Sequence, residues 1–84
     1  MFYVYVLKSL KTGEFYKGLT NNPKRRFKQH FTGKVNATAG KSPLKLVHAE
    51  IFDNRIEARK FEKFLKTGFG REIIKEIDKY LKMG

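Results

Sequence analysis

Aromatic and β-branched residues fill Phe2–Leu7, a run of strand length that predicts the first strand. Glu14–Leu19 reads as a second strand, with Lys11-Thr12-Gly13 between them as a hairpin signal. Asn21-Asn22-Pro23 then opens a helix: Asn22 can cap it, and Pro23 at the first helical position wastes no hydrogen-bond donor. Phe27 and Phe31, four apart, give that helix an inward stripe, and Arg26 and His30, also four apart, share an adjacent face. Thr32–Pro43 (TGKVNATAGKSP) shows no apolar period and predicts a long loop with room to move and to touch a ligand. Leu44–Phe52 is a third strand, and Asp53 or Asn54 can cap a helix in which Ala58, Phe61 and Leu65 form the core face. Glu62 borders that stripe. Gly68 and Gly70 predict a break, after which Ile73, Ile74, Ile77 and Leu81 make Arg71–Lys82 a last amphipathic helix. The pattern predicts an α/β (α+β) domain with the order β-β-α-β-α-α and, at residues 1–84, no linker or repeat to divide it.

Charge changes the picture next. The net charge of +11 is unevenly spread. Residues 1–49 hold ten basic residues against Glu14 alone, a balance of +9, whereas residues 50–84 hold nine basic residues and seven acids, a balance of +2. A basic face built from the first half favours a polyanion through counterion release, which points to nucleic acid rather than to a solubilising surface. An anionic membrane is disfavoured, because the basic excess lies in strands, turns and a short helix rather than along one amphipathic helix. With no cysteine the chain has neither disulfides nor thiolate metal sites, which fits a reducing cytoplasm. No apolar run approaches the roughly 20 residues that span a bilayer, and Met1 runs into strand pattern with no basic leader.

Candidate chemistry follows from the polar residues on these elements. Tyr3-Val4-Tyr5 and Tyr16-Lys17-Gly18 lie on consecutive strands and are followed by Arg26, His30 and Glu62. Hydrolysis of a phosphodiester requires an activated water, balanced charge on the phosphoryl oxygens and a hard cation near the leaving oxygen. Arg26 offers a planar fork that matches phosphate, and Glu62 suits Mg²⁺, which binds through one or two carboxylates and keeps most of its waters. By spacing alone the bland readings stand beside these: strand tyrosines pack, helix arginines are solvated, and Glu62 pairs with Arg59 or Lys66. His48 reads as structural. Two histidines without cysteine argue against zinc.

The ordered set of Tyr-Val-Tyr, Tyr-Lys-Gly, Thr-Asn-Asn-Pro, Arg-Arg-Phe-Lys-Gln-His, Ser42-Pro43, Glu50 and Glu57-Ala58-Arg59-Lys60-Phe61-Glu62-Lys63-Phe64-Leu65-Lys66 resembles the GIY-YIG nuclease superfamily. The resemblance covers about residues 2–75 and is to small stand-alone members related to the N-terminal nuclease domain found in bacterial excinuclease ABC. It implies a three-stranded antiparallel sheet flanked by helices. It also implies an endonuclease or nickase that uses one divalent ion, Mg²⁺ with Mn²⁺ as an alternative. Such an enzyme cuts DNA to 5'-phosphate and 3'-hydroxyl ends, in a setting such as repair or recombination. By position, Tyr5 ends the first motif and Tyr16 begins the second, Tyr16 being the better general base or water-orienting group. Arg26 takes the catalytic arginine's place, His30 that of a His or Tyr, and Glu62 that of the metal-binding carboxylate.

Lys17, Thr20, Lys24, Arg25, Lys28, Lys34, Thr38 and Lys41 are the expected nucleic-acid contacts, with Asn36 a further phosphate contact. Lys17 replaces an apolar residue of the family motif, and Leu19 a small or polar one. Strand alternation sends Lys17 toward a face that is apolar in relatives, where it must reach water or pair with a carboxylate such as Glu50. RNA remains open as a substrate, targeting by a protein partner is consistent with the small size, and the rival readings are a non-catalytic nucleic-acid-binding module or a structural protein.

Overall fold

A computed structural model describes residues 1–83. Its elements run β1 (Phe2–Ser9), β2 (Phe15–Thr20), α1 (Pro23–Phe31), β3 (Leu44–Phe52), α2 (Arg55–Leu65) and α3 (Gly68–Met83). The three strands form an antiparallel sheet in the order β2-β1-β3, so the most apolar strand is central and β2 is an edge. This is the expected α+β architecture.

Residues directly opposite on neighbouring antiparallel strands share a face, so the register sorts the side chains. Val4 pairs with Leu19 and Glu50, and Val6 with Lys17 and His48; Tyr5 pairs with Gly18 and Ala49. The Val4 and Val6 face packs on α2 and α3, burying Ala58, Leu65 and Ile74 with Phe2, Phe15, Phe52, Phe61 and Ile77 at its margins. On the Tyr5 face lie α1 and the 32–43 segment. A register shift between Val6 and Leu7 leaves Val47 as an extra residue on β3, pointing into the core.

The helix starts have local causes. Asn22 accepts a hydrogen bond from the Arg25 amide (3.1 Å) at the head of α1, and Asn54, rather than Asp53, accepts from the Glu57 amide (2.9 Å) at the head of α2. The expected break at Gly68 and Gly70 falls at Lys66-Thr67 instead of at the glycines: both belong to α3, which begins three residues early. Gly70 is buried against the end of α2, where a Cβ would overlap the Phe64 carbonyl and stand 2.6 Å from Leu65 Cα. The glycine therefore permits contact between the two helices instead of ending one.

The 32–43 segment has no regular element, as expected, but it is tied down. Ser9 Oγ donates to the Lys41 carbonyl (2.6 Å), the Leu10 amide donates to the Pro43 carbonyl (2.8 Å), and Thr38 is buried. At the far end, Lys8 donates to Asp78 Oδ2 at 2.7 Å and so fastens α3 to the central strand. Among the described residues no helix is long and apolar enough to cross a membrane.

Candidate active site

Tyr5 is the centre of the site because the sheet leaves room for it. Its ring lies over Gly18, where any Cβ would collide with the phenol oxygen and stand 2.7 Å from Cε2. Phe27 of α1 packs edge-on against the ring at 5.3 Å between centroids. Held so, the 2 % exposed Tyr5 delivers its hydroxyl to α1, 2.8 Å from His30 Nε2 and 3.2 Å from Arg26 Nε.

Arg26 Nε–H can only donate, so the Tyr5 oxygen accepts from it, and the same hydroxyl is hydrogen-bonded to His30 Nε2, with the direction set by the His30 tautomer. His30 Nδ1 is hydrogen-bonded to Thr38 Oγ1 at 2.8 Å, and the threonine hydroxyl also lies 3.5 Å from the Val35 carbonyl. Burial first, and the Arg26 charge second, hold the His30 pKa below the usual 6.5 and so favour the neutral ring. Thr38, expected to meet phosphate, is instead 1 % exposed with its hydroxyl engaged by His30, so it supports the site from inside. With both ring nitrogens occupied, His30 is not available as a metal ligand.

One cleft of about 410 Å³ brings together Tyr5, Tyr16, Lys17, Gly18, Arg26, His30, Glu62 and Lys66. It wraps around the edge strand β2: Tyr5 and Gly18 come from one face of the sheet, Lys17 and Glu62 from the other. All five residues expected to do chemistry thus line one space. Among the described residues Glu62 is the only carboxylate there, its side chain 12 % exposed, with Arg59 Nε at 3.8 Å and Lys66 Nζ at 3.6 Å. Those distances are too long for hydrogen bonds, so its oxygen lone pairs stay open to a hard cation. Among the described residues no three His, Cys, Asp or Glu side chains converge on a metal position. The donor set therefore fits a cation that takes one protein carboxylate and fills its remaining positions with water and phosphate oxygens.

Tyr16 has a partner that sequence spacing did not flag. Its hydroxyl donates to Glu14 Oε2 at 2.8 Å, and that bond pushes its pKa up from the usual 10. Lys17 makes no pair with Glu50, which lies two strands away on β3 and takes His48 Nε2 at 3.0 Å instead. Lys17 has its pKa lowered, first by burial and then by the charges of Arg71 and Lys66.

A second cleft, about 260 Å³, adjoins the first and is lined by Thr20, Arg25, Arg26, Gln29 and Arg55 over a floor of Phe2 and Leu19. Gln29 accepts from Arg26 Nη1 at 3.3 Å, and Arg55 comes from the head of α2. Neither was expected from the sequence. Lys24, Arg25, Lys28 and Lys34 are exposed on α1 and the segment after it, and Lys41 is half-buried beside Ser9.

Comparisons with known proteins place the chain in a family. Residues 1–76 match the model of the GIY-YIG catalytic domain, a nuclease family whose members act on DNA and generally depend on a divalent metal. A UPF0213 protein of Clostridium perfringens is 43 % identical over 67 residues, which cover 79 % of this chain and 71 % of that protein. A UPF0213 protein of Enterococcus faecalis is 36 % identical over 83 residues, covering 95 % and 89 %. The solution structure of a UPF0213 protein from Bacillus halodurans superposes with a TM-score of 0.56 at 33 % identity, covering 92 % of this chain and 85 % of that one. Family model, relatives and superposed fold agree with one another, and the chain belongs to the GIY-YIG family.

Proposed function

We propose that this protein is a metal-dependent endonuclease that nicks or cuts DNA, leaving 5'-phosphate and 3'-hydroxyl ends. The convergence of Tyr5, Tyr16, Arg26 and Glu62 in one cleft at an open sheet edge carries the reading. Arg26 is steadied by Tyr5 and Gln29, which leaves Nη2 to face a phosphoryl oxygen. Tyr16 donates a hydrogen bond to Glu14, so its oxygen lone pairs are presented to a water; as Tyr16 takes a proton from that water, it passes its own proton to Glu14. Tyr5 and His30 hold Arg26 in place and need not titrate. Glu62 would bind Mg²⁺ or Mn²⁺, and the ion supplies charge stabilisation of the leaving oxygen. DNA intermediates of repair or recombination are the substrates to try first.

One observation favours a rival, a binding module on the same fold without turnover: Glu14 stabilises the protonated form of Tyr16. The deciding experiment incubates supercoiled plasmid and nicked or branched duplexes with the protein in Mg²⁺, Mn²⁺ or EDTA, alongside Glu62→Ala and Arg26→Ala. Metal-dependent cutting is expected, with each substitution slowing it on the order of 100-fold or more, the scale found when one preorganised donor is removed. Binding of DNA without cutting of any substrate would establish the rival.

A further inference from the structure

A third cleft, about 300 Å³, lies between β2 and α3 and is lined by Glu14, Phe15, Lys17, Arg71, Ile74 and Lys75. It shares Phe15 and Lys17 with the cleft that holds Tyr16 and Glu62, and that cleft shares Leu19 and Arg26 with the arginine-lined one. The three therefore form a row along the edge strand, with the chemistry in the middle.

The ion pairs show which charges at this end are spoken for. Lys75 stands by Glu72 at 3.5 Å, Lys66 by Glu62 at 3.6 Å, and Glu14 is engaged by the Tyr16 hydroxyl. Among the described residues Lys17 and Arg71 have no carboxylate within ion-pair distance. Lys17 is half-buried, and its ammonium is disfavoured by desolvation and by the neighbouring cations Arg71 and Lys66. A partly buried cation among other cations is costly without a counter-charge, and an apolar residue at this inward strand position would pack with Val6 at no such cost. An anion entering the cleft removes the conflict. The Arg71 fork and the Lys17 point charge together suit a phosphate, whose several oxygens can meet both.

We propose that Lys17 and Arg71 form a second phosphate-binding site, which holds a backbone phosphate of the nucleic acid beyond the one being cut. The inference rests on the nuclease reading only in taking the ligand to be nucleic acid. A polymer, rather than a small anion, is indicated by the continuity of the three clefts: a strand seated at Arg26 and passing Tyr16 runs directly into this one. The substrate must then extend past the cut on the α3 side, which suits cleavage within a chain.

The test measures binding in EDTA, without turnover, of a fluorescent DNA duplex across about 50 to 300 mM salt. Lys17→Met, Arg71→Gln and the control Lys60→Gln, which removes an equal charge from the Glu57–Lys60 pair on the outside of α2, are compared with wild type. Loss of one phosphate contact should weaken binding of any sequence and reduce the slope of log K against log salt by about one. That result is expected for Lys17→Met and Arg71→Gln and not for Lys60→Gln. Lys17→Met should also melt no lower than wild type, which separates lost binding from lost folding. If both variants match Lys60→Gln while wild type binds DNA, the second site is overturned and the nucleic-acid reading stands. If wild type fails to bind, both fall together.

Discussion

His30 is a histidine kept neutral by its position. Its Nε2 is bonded to Tyr5, its Nδ1 to Thr38, and burial and Arg26 lower its pKa from 6.5. A depressed folded-state pKa means that the unfolded chain takes up the proton first, below about pH 6.5. Stability should therefore fall as the pH drops below that value and go on falling until the folded-state pKa is passed. Urea midpoints between pH 5 and 7.5 should show this slope for wild type and a flatter one for His30→Asn. Equal slopes would mean that His30 is not buried in the neutral form. The sequence placed His30 one turn from Arg26 on a helix face, which was legible from a spacing of four. Its partnership with Thr38 was not, because an irregular segment carries no periodic signal to say which of its hydroxyls turns inward.

Gly70 shows where pattern reading stops at the level of elements. A glycine predicts a helix break because it is a poor helix former, but that preference amounts to only about 1 kcal/mol against alanine. Here close contact with the end of α2 decides the matter. Gly70→Ala would gain the propensity and lose the contact. The obstacle is the backbone of Phe64 and Leu65, which cannot turn aside as a side chain would. Overpacking of this kind costs about 1–3 kcal/mol or more. The expected net result is a less stable protein, and a thermal melt would read each net kcal/mol as about 4–8 °C in a domain this small. A higher melting temperature for Gly70→Ala would refute the contact. The strands, the Asn22 cap and the α2 core face were legible because each is set within a few residues, whereas the α2 cap was narrowed only to Asp53 or Asn54. Arg55 and Arg71 were not legible, since it is the packing of α2 and α3 beside β2 that brings them to the clefts, whereas Glu14 lies only two residues before Tyr16, a spacing that allows contact without requiring it.

Among the described residues the longest-range side-chain hydrogen bond joins Lys8 to Asp78, 70 residues apart, and Lys82 Nζ lies 3.5 Å from the same oxygen. The Lys8 hydrogen bond chiefly holds the Asp78 pKa below its usual 3.8. The pair's contribution is thus present above that pH and lost as the pH falls through the lower, folded-state value. Asp78→Ala leaves Lys8 without its partner beneath α3 and should lower the melting temperature at pH 7. Lys8→Met combined with Asp78→Ala should recover part of that loss, because an unpaired buried charge costs more than an apolar replacement for the pair. Additive losses in the double variant would show that the two residues do not act on each other.

The chain Arg26–Tyr5–His30–Thr38 couples these scales. The same bonds that aim the arginine also hold the 32–43 segment against the body, and Tyr5 belongs to the interior as much as to the cleft. A partly folded copy has no half-built site: when the segment lifts, the guanidinium loses its aim together with the packing. On the proposed nuclease reading, competence to cut would arise and disappear together with the packing, so a misfolded copy of this strongly basic chain would keep its charge and lose its cutting site.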